Sequence, residues 1–155
     1  DIGRLQESVQ LLIKEAYRAS ENIALQETSV SHQFPASISS LFLAEYFTDV
    51  AHKFNKEQRH WIQLALQNIE EINKLLIIMR TSKTPTNGYP YSLHLLNLTN
   101  IGTRTWLACQ STLKNETEKL SSDELARAAG CTEDDINYKN MLEKNAKARN
   151  NFLDL

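Results

Sequence analysis

Apolar residues recur in this chain at alternating steps of four and three, and little interrupts them. Between residues 2 and 27 they fall at Leu5, Val9, Leu12, Ala16, Ala19 and Ile23, with Arg4, Glu7, Lys14, Arg18 and Glu21 on the other face. A helix stacks residues three and four apart on one side, so this spacing predicts a long amphipathic helix. A half-buried strand would need alternation at every second position, which this stripe does not have. Only four glycines and three prolines occur in 155 residues. Sandwiches and barrels need frequent turns, so the count points to long helices with few connections.

After a connector over residues 28–35, Pro35 and Ser37 suit the start of a second helix, running from about Ala36 to Phe54. Proline lacks only an N–H that goes unpaired in a first helical turn. The first half of this helix is apolar nearly all round, through Ile38, Leu41, Phe42, Leu43, Ala44, Tyr46 and Phe47. Such a segment is expected at the centre, flanked on more than one side. Asn55 and Gln58 have the spacing of a capping box and open a third helix to about Arg80, with the stripe Trp61, Ala65, Ile69, Ile72, Leu76 and Met79.

Residues 82–91 read as the clearest loop, holding two of the prolines and the turn signal Asn87-Gly88. A fourth helix begins near Ser92 and uses Leu95, Leu98, Ile101, Thr105, Ala108 and Leu113. Asn97, Asn100, Arg104 and Gln110 keep it short of a membrane span. The expected core is Leu12, Ala16, Leu43, Phe47, Val50, Ile69, Ile72, Leu76, Leu98 and Ala108.

From Ser121 to Ile136 the chain reads SSDELARAAGCTEDDI, which looks like the two helices of a helix-turn-helix. Ser121 and Glu124 can cap the first helix, Gly130 can end it in a left-handed conformation, and Thr132 with Asp135 can start the second. Ala126, Gly130 and Ile136 stand where two helices crossing over a tight turn need small, turn and buried residues. A more polar last helix follows, through Met141, Leu142, Ala148 and Phe152. The fold class is therefore all-α: an up-and-down bundle of about four long helices with a short helix-turn-helix-like C-terminal appendage. One domain is expected over 1–155, with the bundle over about 2–120 and the appendage over 121–155. The chain begins at Asp1 and ends inside a helical pattern, so excision from a longer protein is also expected.

Several chemistries find no support. Of the four histidines His32, His52, His60 and His94, the pair His52 and His60, if placed on one continuous helix, would lie about 12 Å apart along its axis, too far for one ion. Glu70-Glu71 is followed by Lys74 where a di-iron site would need a ligand. Cys109 falls on the apolar side of the fourth helix and Cys131 in the turn after Gly130, which predicts two unbonded, structural thiols. Asp49 and His52 have the spacing of a solvated pair on one helix face. No phosphate-binding glycine loop, catalytic residue, metal site or cofactor motif is identified. Asn97 and Asn115 each begin a glycosylation sequon, at a frequency chance would supply, and the compartment stays open.

Seventeen basic residues against nineteen acidic ones give a net charge of −2, whereas proteins that grip phosphate backbones usually carry a positive excess. The second helix of the helix-turn-helix-like segment begins Thr132-Glu133-Asp134-Asp135, with three carboxylates where a DNA reader would meet phosphates. They suit the positive end of a helix dipole instead, and duplex DNA is not an expected partner.

The leading expectation is a non-enzymatic helical module that binds another protein or a second copy of itself. It would do so through one face or through the loop residues Tyr89, Pro90 and Tyr91. Glu45 lies within the apolar Leu41–Phe47 run, where a buried carboxylate needs a partner or a proton. It is expected at the edge of the buried face, paired with an arginine or lysine of a neighbouring helix, the alternative being a polar anchor of a pocket between helices. The alternative is a regulatory domain that senses a small ligand or dimerises, with a helix-turn-helix-like tail.

Overall fold

A computed structural model describes residues 1–25, 34–81 and 89–153, and every element among them is helical. The helices are α1 (Ile2–Ala24), α2 (Leu41–Val50), α3 (Lys56–Thr81), α4 (Tyr89–Lys114), α5 (Ser122–Ala128) and α6 (Glu133–Leu153). A turn of 3₁₀ helix, Ala51–Lys53, follows α2. His32, the connector up to residue 33 and the Asn87-Gly88 turn lie outside the described residues.

The centre of the bundle is α4, with α1 packed on one side of it and α3 on the other. Gln6 donates to Gln110 at 2.7 Å, and the Trp106 indole N–H donates to Gln10 at 3.4 Å. These bonds set the start of α1 against the end of α4. Gln58 donates to the Thr112 carbonyl at 3.0 Å, and Asn55 to Asn115 at 2.6 Å, so the start of α3 also meets the end of α4. Hence α1 and α3 run the same way, both antiparallel to α4. Close approach depends on Gly102, where an added Cβ would stand 3.0 Å from a methylene of Ile13. The buried hydroxyls of Thr99, Thr103, Thr105 and Thr112 each return a hydrogen bond to a carbonyl three or four residues back, so none is left unsatisfied in the core.

Because α1 and α3 are parallel, the chain between them must travel back along the bundle. It does so partly as an irregular, non-helical strap over residues 34–40 and not as the long second helix expected from Ala36. Ile38 is buried, and Asn73 of α3 grips its backbone twice. The Ile38 N–H donates to Asn73 Oδ1 at 2.7 Å, and Asn73 Nδ2 donates to the Ile38 carbonyl at 3.0 Å. The serines around it, Ser37, Ser39 and Ser40, are poor helix formers, because their hydroxyls compete for backbone groups. Helix α2 that follows is peripheral, which corrects the expected central placement. Leu12, Ala16, Ile69, Ile72, Leu76, Leu98 and Ala108 are buried as expected, but Leu43, Phe47 and Val50 are only partly so.

The C-terminal segment has the expected corner. Ser121 and Glu124 form a reciprocal capping box on α5, Gly130 adopts φ +92°, and the Asp135 N–H donates to Thr132 Oγ1 at 3.2 Å. Leu125, Ala126, Ala129 and Ile136 are buried in the common core, and α6 lies along α1 as the bundle's other long helix.

Candidate functional site

Helix α1 packs against α4 and α6, and residues 34–43 lie against part of its remaining face. Among the described residues they cover that face incompletely, and two hollows lie along α1. The larger, about 760 Å³, lies between the α1 residues Ser8, Leu11, Leu12 and Glu15 and the strap residues Phe34, Pro35, Ser37, Ile38 and Ser39. The smaller, about 430 Å³, is lined by Asp1, Arg4, Leu5, Ser8, Ser39, Ser40 and Leu43. Ser8 and Ser39 border both, so the hollows form one groove from Asp1 to Glu15. At 1.5 Å per residue that stretch of α1 is about 21 Å long.

The α1 wall repeats Leu5, Ser8, Leu12 and Glu15 at helical spacing, while Leu11 stands on the rim. Leu11 is 69% exposed, and Tyr46 on α2 is 45% exposed. A single exposed leucine is ordinary on a surface, but one on the lip of an apolar groove adds to a continuous patch. Arg4 marks one end of the groove and Glu15 the other. The groove walls hold serines, aliphatic groups and a few charges, with no nucleophile paired to a base. Its chemistry is the burial of apolar groups.

The residues singled out in the sequence are not brought together. Glu45 is exposed on α2, so it lacks the burial that a pocket anchor requires. Tyr91 is a core residue, 6% exposed, in the first turn of α4, and its phenol is raised above the ordinary value by burial. It cannot serve as a surface loop contact. Tyr89 and Pro90 begin α4 in backbone conformation, and their side chains lie outside the description. Helix α4 starts earlier than expected because proline fits a first helical turn, so Pro90 does not delay it.

Cys109 and Cys131 are free and buried, and burial pushes both thiols up to about 12, far from the thiolate a nucleophile needs. His52 and His60 are exposed, and among the described residues no group of His, Cys, Asp or Glu is placed to hold a metal ion. At the C-terminal corner Glu133 and Asp134 are exposed, and Glu133 pairs with Arg127. No helix among the described residues is long and apolar enough to cross a membrane.

One residue that sequence reasoning missed is Lys139, only 1% exposed. Its ammonium lies 2.8 Å from Glu143 and 5.9 Å from the centre of the Tyr17 ring. The only signal for it was its place between Ile136 and Glu143 on one side of α6. Its partners are satisfied within the fold, and it locks α6 to α1 without facing the groove. No family model, curated protein or solved structure matches the chain.

Proposed function

We propose that this protein is a non-enzymatic interaction module that takes an amphipathic helix of another protein into the groove along α1. The partner helix would cover the face of α1 that α4, α6 and the described residues of the strap and α2 leave open. The observation that carries this reading is Leu11, 69% exposed beside a groove of about 760 Å³ between α1 and the strap. Full burial of one leucine is worth about 1.5–3 kcal/mol, and a helix laid in a groove gains this at several anchors in succession. A groove of about 21 Å suits some fourteen residues of helix, roughly four turns. The acidic opening of α6 speaks against duplex DNA in the partner's place.

The test is site-specific photo-crosslinking in cells of origin, with a benzophenone amino acid at position 11. A control carries the same group at Gln63, which is exposed on α3 and outside both hollows. A discrete adduct from position 11 alone, mapped by mass spectrometry to a helical segment of another protein, is the expected result. An adduct to a second copy of the chain would make the module a homo-oligomer. Equal labelling from both positions, or none from position 11, would refute the groove as the docking site.

A further inference from the structure

A second concavity lies on the far side of α4, between α3 and α4, and its make-up differs from that of the α1 groove. Trp61 and Leu64 of α3 face Leu107 of α4 across a cleft of about 370 Å³, large enough for a compact small molecule. Trp61 is half-buried, and Leu64 is 37% exposed. Thr117 and Glu118, from the segment after α4, close one end. That end is held in place: Gln58 donates to the Thr112 carbonyl, and Asn55 to Asn115, tying the start of α3 to the end of α4.

The charges lining the cleft are unequal in their bonding. Glu118 lies 3.1 Å from Lys114, so its carboxylate is already neutralised by a neighbour. Arg104, on the cleft wall, makes no ion pair or hydrogen bond among the described residues. His60 stands on the opposite wall. An aromatic wall, two leucines and one unpaired guanidinium at the edge match a ligand with a flat apolar body and a single anionic group. Guanidinium is a planar donor that suits a carboxylate, and the tryptophan face suits a ring.

We infer that the α3–α4 cleft is a binding site for a small aromatic or branched apolar carboxylate, seated on Trp61 and held by Arg104. The site is independent of the α1 groove, because α4 and the core separate the two. Arg104 is exposed and unbonded, so replacing it leaves the bundle intact.

The experiment uses the isotopically labelled full chain and follows its amide and indole resonances by NMR during titration. The probes are 1-naphthoate and its neutral counterpart 1-naphthalenemethanol. The two indole N–H signals, assigned with Trp61→Phe and Trp106→Phe, serve as internal controls, since the Trp106 indole is committed to Gln10. With 1-naphthoate, saturable shifts are expected at the Trp61 indole and at amides of residues 60–68 and 104–111, with the Trp106 indole unmoved. The neutral probe should bind about tenfold more weakly or worse, and Arg104→Gln should weaken 1-naphthoate by a similar factor, with unchanged spectral dispersion. Shifts scattered over the surface, equal affinity for the two probes, or full binding by Arg104→Gln would each overturn the assignment. So would the absence of saturation at millimolar probe.

Discussion

Lys139 shows how a charged residue becomes part of a core. Burying an ammonium is costly unless its charge is met, and here Glu143 meets it at 2.8 Å while the Tyr17 ring covers it. Glu143 is also within 3.1 Å of Lys147. The hydrogen bond from Lys139 is the main reason its carboxyl is held below the ordinary carboxylate value, against an opposing effect of partial burial. A carboxyl whose folded value is depressed adds stability that is complete above its unfolded value and disappears as pH falls through the folded one. Glu143→Gln should therefore destabilise the protein by about 1–3 kcal/mol at neutral pH, because Lys139 loses its counter-charge. The deficit should shrink as pH drops from about 5 to about 3, where the wild-type carboxyl also takes up its proton. Thermal unfolding of both proteins across that range decides the matter, and a deficit independent of pH would count against the pairing.

At the scale of elements, the segment from Phe34 to Lys53 differs most from expectation. Its apolar composition suits a buried helix, yet its first part is a non-helical strap and only ten residues, Leu41–Val50, form α2. Ile38 is the pin. One side-chain amide, that of Asn73, satisfies both backbone groups of Ile38 in the way a neighbouring strand would, with no strand present. Asn73→Ala should cost about 1–3 kcal/mol, since it leaves a partly buried N–H and carbonyl without that partner. Asn73→Asp keeps the acceptor and loses the donor, so its effect should be intermediate if the carboxylate stays ionised. Denaturant titration gives the stabilities, and hydrogen exchange at the Ile38 amide reports the local effect. An Ile38 amide that exchanges no faster in Asn73→Ala would show that packing, and not the double bond, holds the strap.

For the whole molecule, the arrangement of α1, α3 and α4 implies a gradient of stability. Helix α4 is covered by α1 and α3 on its two sides, and Leu95, Leu98, Thr99 and Thr105 are at or near zero exposure. Helix α2 has no fully buried residue among its described side chains. Amide exchange under native conditions should therefore be slowest through the middle of α4 and in the facing stretches of α1 and α3. It should be fastest, by orders of magnitude, in α2, which can open without disturbing the core. Protection in α2 equal to that in α4 would mean that α2 belongs to the same cooperative unit, and a partner helix would then find the groove along α1 already closed.

What could be read in the sequence was whatever depends on neighbours three or four positions away. The stripe of α1, the Asn55–Gln58 and Ser121–Glu124 capping boxes and the Gly130 turn are local, because helical geometry and terminal hydrogen bonding involve only nearby residues. The all-helical class follows from them. An apolar run, by contrast, states that burial would be favourable and not that space for it exists. Whether Leu43, Phe47 and Val50 find that space depends on where α1 and α3 run. The strap depends on Asn73, 35 residues from Ile38 in the chain. Tyr91 lies in the core because α4 begins at Tyr89, and Lys139 is buried because Tyr17 of α1 lies against it. The α1 groove and the α3–α4 cleft likewise exist only between segments far apart in sequence. Each wall follows the spacing of its own helix, but which walls face each other is decided only by the packed structure.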